Sequence, residues 1–208
     1  MSMSMSAAAA KGGLACGRAL LRLGFALVAA AGLWLAAQGA WIPAKAALAQ
    51  ILLEQAFAAS ASGASVKPWP WADAAPIARI RIPRLGVDQI VLSGGSGEAM
   101  AFGPTLMPGS GELGKRGTPV VAAHRDTHFR PLRHVRTGDE ILVEGSDGRI
   151  TRYRVTGTRV VRRDGYALAR HPAEPTLALV TCWPFDAAER GPLRFVVEAT
   201  AVAPRGYS

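Results

Sequence analysis

Residues 77 to 202 carry seven apolar or alternating runs and no stretch with the length and period of a crossover helix. The runs are 77–82, 87–92, 118–123, 140–144, 150–163, 176–182 and 193–202, separated by turn signals such as Ser146-Asp147-Gly148. Parallel neighbours need a dozen or more residues to cross over, usually as a helix. Seven or eight strands without such helices therefore predict a mostly antiparallel barrel or sandwich. Two short helical turns are expected, around 98–102 and 166–170.

The first third of the chain has a different character. LGFALVAAAGLWLAAQGAW, residues 23–41, holds no charge and one strongly polar residue, Gln38, and is long enough to span a bilayer as a helix. Lys11, Arg18 and Arg22 precede it and the next basic residue is Lys45, so the positive-inside bias keeps 1–22 in the cytoplasm and exports the chain beyond Trp41. The alternative is a signal peptide cleaved near Ala47-Leu48-Ala49, but that site lies well past the apolar run. A lipoprotein site at Cys16 fails because the apolar run comes after the cysteine. Residues 42–75 read as an amphipathic Ala/Leu helix over 44–59 and a Ser/Gly/Pro/Trp linker, and 76–208 as one domain.

Lys and Arg outnumber Asp and Glu by 24 to 15. Many of the basic residues alternate with apolar ones, as in Arg79-Ile80-Arg81-Ile82 and Arg152-Tyr153-Arg154-Val155, which marks solvated strand faces. With no basic run interleaved with aromatics, no nucleic-acid partner is expected. The two cysteines, Cys16 and Cys182, lie on either side of the apolar run, so they are not expected to pair. A free thiol in an exported domain calls for a chemical reason.

Cys182 ends the run LALVTC and is followed by Trp183-Pro184-Phe185. On its own, a cysteine at a strand end is a small buried hydrophobe. A nucleophilic cysteine needs a base and an oxyanion donor, and the chain offers both at strand ends. VVAAHRDTHF, residues 120–129, runs an apolar strand into His124. GPLRFVVEA, residues 191–199, puts Arg194 at a strand start twelve residues after Cys182. His124 is the preferred base and His128 its rival. Asp126 between them makes H-x-D-x-H, which lacks the helical or Cys-rich spacing of a strong metal motif. No metal or other cofactor is expected. His134 and His171 read as surface residues. Arg194 serves either as oxyanion donor or as a structural ion-pair partner, and Trp183 and Phe185 as core or pocket wall.

L-x-L-V-T-C at 177–182, A-H-R-D-T about 58 residues upstream and an arginine at the following strand start together resemble the sortases, over roughly residues 77–202. A-H-R-D-T-H-F with T-C-W-P-F is most similar to the Gram-negative (class GN, marine proteobacterial) sortases. The resemblance implies a closed eight-stranded sortase-type β-barrel with short helices behind an N-terminal transmembrane helix, and a cysteine transpeptidase. Cys182 matches the nucleophile, His124 the acid/base and Arg194 the oxyanion-stabilising arginine; Thr181, and with less support Trp183 and Asp126, match substrate-binding positions. The implied substrate is an exported protein ending in an LPxTG-like sorting signal, passed from a thioacyl-enzyme to an amine acceptor. The implied location is the inner (cytoplasmic) membrane, single-pass, with the domain on the extracytoplasmic side. Ala123 stands where sortases often carry glycine, and no acidic cluster resembles the calcium site some sortases have.

Two other readings compete. L,D-transpeptidases resemble S-H-G-C-x-R around their nucleophile, whereas Thr181-Cys182-Trp183-Pro184 lacks the adjacent histidine and glycine. A non-catalytic membrane-anchored barrel would use Cys182 only as core.

Overall fold

Alternation of inward and outward side chains closes the strand-rich region on itself. The protein is described from a computed structural model that covers residues 6–62, 65–164, 172, 174–187, 189 and 191–202. Its strands are β1 (Pro76–Ile82), β2 (Val87–Leu92), β3 (Thr105–Leu106), β4 (Val120–Ala122), β5 (Glu140–Gly145), β6 (Ile150–Arg162), β7 (Thr176–Cys182) and β8 (Leu193–Ala201). They form a closed barrel in the order β1-β2-β3-β4-β7-β8-β6-β5. Two ladders, β2–β3 and β4–β7, are parallel and the others antiparallel. The barrel, not the sandwich, is realised.

β1 shows the pattern that drives closure. Ala78, Ile80 and Ile82 are fully buried while Arg79 and Arg81 point outward. Ile80, Val121, Phe129, Tyr153 and Leu179 meet inside one core cluster. Each such side chain contributes about 1.5–3 kcal/mol on leaving water. Phe129 and Leu132 reach that core from outside the strands, at the start and within a 3-10 turn, Arg130–His134. Tyr153 keeps its hydroxyl satisfied by accepting from the Gly114 N–H at 3.3 Å, and burial raises its pKa.

The strand expectations need two adjustments. β4 is shorter than 118–123, because Pro119 has no N–H for the ladder; Thr118 instead bonds the Thr176 hydroxyl at 2.6 Å, and the Val120 N–H donates to Ser110 Oγ. β3 has no counterpart among the expected strands, since two residues carry no readable period. The short helix α2 (Ala99–Phe102) falls within the expected 98–102 turn. The expected turn at 166–170 and His171 lie outside the described residues.

The chain divides into two compact units, 1–48 and 49–208. The boundary lies inside one long helix, α1 (Ser6–Ala59), with Pro43 in its interior. The sequence suggests two separate pieces here; the alanines on both sides of Pro43 have the propensity to carry the helix through it. In the first unit, Phe25, Val28, Leu33 and Trp34 are exposed, and the stretch Leu21–Ala59 is long and apolar enough to cross a membrane. In the second unit, Leu53 packs with Ala74, Ile90, Leu92 and Ala99, and Gln50 Nε2 donates to the Phe102 carbonyl at 2.8 Å.

Many of the strand-face charges are matched across the ladders: Arg79 with Asp88, Arg81 with Glu144, Arg152 with Glu140, and Arg159 with Glu198. Arg84 and Asp139 form a forked pair at 2.6 Å, and Asp139 also accepts from the Arg136 N–H. Arg84 is the main cause holding the Asp139 carboxyl below its ordinary pKa. Because folding lowers that pKa, the contribution is complete above the unfolded value, about 3.9, and is lost as pH falls through the folded one. Asp139→Asn is expected to destabilise the chain by about 1–3 kcal/mol at pH 7. Thermal unfolding of wild type and variant in detergent should converge as pH drops below about 4.

Candidate active site

The parallel β4–β7 ladder pairs Val121 with Leu179 and Ala122 with Val180. Past its last pair the Ala123 N–H still donates to the Val180 carbonyl at 3.2 Å. Continuing that register two residues sets His124 abreast of Cys182. On the other side of β7, the antiparallel β7–β8 ladder places Cys182 directly opposite Arg194. Directly opposed residues share a face, with their Cβ atoms about 4.5–5.5 Å apart. β7 and β8 thus set Cys182 beside Arg194 at one end of the barrel, and His124 follows two residues after the end of β4, the strand next to β7.

Parity explains why Cys182 is not core. Leu177 and Leu179 belong to the interior cluster and Thr181 is 2% exposed, so Cys182 falls on the opposite face. The thiol is free and half-buried. Arg194 Nη1 donates to the carbonyls of Gly191 and Leu193, at 2.9 and 2.8 Å. Among the described residues it joins no ion pair.

The remaining residues singled out in the sequence sit around this rim or away from it. Thr181 Oγ1 donates to the Ala123 carbonyl at 2.8 Å, so its hydroxyl straps β7 to the residue before His124. Trp183 stacks on Phe195, with ring centroids 5.7 Å apart, and both meet Phe185 edge-on. This cluster holds the chain immediately after Cys182, helped by the Trp183 N–H donating to the Leu193 carbonyl. Asp126 and His134 are exposed. His128 is half-buried, with Nδ1 2.8 Å from Gln89 Oε1. Burial is the first cause of its lowered pKa. Among the described residues no three His, Cys, Asp or Glu side chains gather into a cation cage.

Arg125 escapes a reading of the sequence, where it is one more surface arginine. It is 9% exposed, and its Nη2 donates to the carbonyls of Ala187 and Glu189 in the β7–β8 connection. The turn after β4 is thereby stapled to the loop after Cys182. Its place beside His124 is the one signal of this in the sequence.

The sequence profile of the Sortase domain family matches residues 80–202, a span that holds all three rim residues. The chain belongs to the sortase family. It is 28% identical over 120 residues to sortase D of Bacillus subtilis, covering 57% of this chain and 60% of that relative's length. In fold it is similar to a lid mutant of sortase A from Corynebacterium diphtheriae, with a TM-score of 0.59 at 24% identity over 78% of this chain and 96% of that one. The Clostridium perfringens sortase D5 transpeptidase gives a TM-score of 0.55 at 22% identity, over 62% of this chain and 79% of that one. The closed eight-stranded barrel is the sortase fold, with the apolar helix α1 ahead of it.

Two substitutions test the supports of this rim. Thr181→Val leaves the Ala123 carbonyl without its hydroxyl donor and should cost about 1–3 kcal/mol in chemical unfolding, whereas Thr181→Ser should restore most of it. Arg125→Met removes both Nη2 donations and should destabilise the chain by about 1–3 kcal/mol, whereas Arg125→Lys, which keeps a cationic nitrogen with several donors, should lose less; differential scanning calorimetry reads both.

Proposed function

We propose that the protein is a sortase-type cysteine transpeptidase in which Cys182 is the nucleophile, His124 the acid/base and Arg194 the oxyanion donor. The observation that carries the reading is the direct cross-strand pairing of Cys182 with Arg194; His124, two residues past the end of the parallel strand beside β7, supports it. Membership of a family of cysteine transpeptidases supports it.

The chemistry comes from those positions. The Cys182 thiolate adds to the threonine carbonyl of an LPxTG-like sorting signal, and the carbonyl electrons move onto oxygen. Arg194, permanently charged and rich in donors, stabilises that oxyanion. As the tetrahedral adduct collapses, the C–N bond breaks and His124 protonates the departing glycine amine. The threonine acyl group remains on Cys182 as a thioester. An acceptor amine then attacks it, His124 takes the proton from that amine, and the thiolate leaves with a new amide formed. Splitting one amide exchange into two acyl transfers lowers each barrier. Trp183 and Asp126 are assigned to substrate contact in this reading, and Thr181, buried with its hydroxyl on the Ala123 carbonyl, supports the pocket from beneath.

Residues 23–41 of helix α1 are read as a single-pass anchor in the inner (cytoplasmic) membrane, with residues 1–22 inside and the barrel outside. Its length and apolar composition support this, and the basic residues before it orient it. A tethered enzyme meets exported, tethered substrates at high effective concentration. Within the family, A-H-R-D-T-H-F and T-C-W-P-F align the chain with the Gram-negative class GN sortases.

Cleavage of a fluorogenic LPxTG-like peptide by the full chain in detergent should fall about a thousandfold or more in Cys182→Ala and His124→Ala, and about a hundredfold or more in Arg194→Ala. Intact mass should reveal an acyl adduct on Cys182; undiminished cleavage by Cys182→Ala overturns the proposal. External protease on spheroplasts should remove the barrel while a cytoplasmic marker survives, and a protected barrel would reverse the orientation.

A further inference from the structure

The turn after β4 carries a second histidine that the proposed reaction does not use. From His124 to Phe129 the chain reverses on itself, the Phe129 N–H donating to the His124 carbonyl at 3.1 Å. One flank of this turn is held by Ala123 against β7, and its end by Phe129, which is fully buried. Arg125 ties the turn to the β7–β8 connection, and His128 ties it on the other side. The His128 Nδ1 lies 2.8 Å from Gln89 Oε1 on β2, and the Ala101 carbonyl of α2 raises the pKa of its ring.

Both neighbours are themselves fixed. Gln89 is a ladder residue of β2, paired with Ile80 of β1. α2 is held by burial of Ala99 against Leu53 and Leu92, and by the Gln50 amide on the Phe102 carbonyl. At Gly103, which ends α2, an added Cβ would stand 2.8 Å from the Ile90 carbonyl, so α2 lies tight against β2. His128 therefore joins the turn to a rigid wall.

We propose that His128 is a positioning residue for His124: held by Gln89 of β2, its imidazole fixes the far side of the turn and keeps His124 beside Cys182. This rests on the assignment of His124 as acid/base. Burial lowers the pKa of His128, the Ala101 carbonyl partly offsets that, and a positive charge on His124 lowers it further. Misplacing a reacting group by about 1 Å can cost about a hundredfold in rate, so the loss should fall on kcat.

The test uses the full chain in detergent with the fluorogenic LPxTG-like peptide. His128→Ala should lower kcat by roughly tenfold or more while KM stays within about twofold. Gln89→Leu should lower kcat in the same way, and the double variant should be no worse than the poorer single one, because both remove the same contact. His128→Asn, whose amide nitrogen stands near the position of Nδ1, should recover much of kcat. If His128→Ala does not fold, Gln89→Leu and His128→Asn still decide the matter. Wild-type kcat in these variants, a loss confined to KM, or effects that multiply in the double variant would overturn the proposal. Should Cys182→Ala and His124→Ala be inactive while the His128 variants turn over normally, only the positioning role fails; activity in Cys182→Ala would fell the transpeptidase reading and this inference with it.

Discussion

The parallel pairing of β4 with β7 is the contact on which the candidate site depends. It sets two segments 58 residues apart in register, and the buried Thr181–Ala123 hydrogen bond prolongs that register past the last ladder pair. A one-residue slip would invert every side chain of β7, sending Cys182 into the core and Thr181 to the rim. The slip is opposed by Leu177 and Leu179, which would both leave the interior. The apolar core and the placement of the thiol are therefore the same constraint.

Around that register the protein concentrates its polar contacts on the two loops that leave it. Arg125 bonds the Ala187 and Glu189 carbonyls, Arg133 pairs with Asp186 and lies over the Phe185 ring, and Trp183, Phe185 and Phe195 pack edge and face. The outer strand faces carry cross-strand ion pairs that each add little. A site built where ladders end gains precision from strands and access from loops.

Much of the architecture was legible because its periods are long. β1, β2, β5, β6, β7 and β8 each present several residues of alternation or apolar run, and the absence of a crossover helix pointed to antiparallel pairing. β3 has two residues and no period, and Pro119 cut β4 back to a three-residue strand. The break expected between the apolar span and the next helix did not occur, since alanines on both sides carry α1 through Pro43. His124, Cys182 and Arg194 stand out by their strand-end settings and spacing. Arg125 and His128 do not reveal their places in this way, because burial of an arginine and the partners of a ring nitrogen come from distant segments.

The sequence by itself determined that this chain has an uncharged apolar segment ahead of a β domain, with a cysteine, a histidine and an arginine at three strand ends and the motif pattern of a sortase. These are local facts, carried by composition, period and spacing. Only the tertiary structure decided that the strand order is closed, that β4 runs parallel to β7, and that Cys182 faces Arg194 across a ladder. Pairing partners are chosen by which apolar faces can be buried together, and that choice is made by the whole barrel rather than by any one strand.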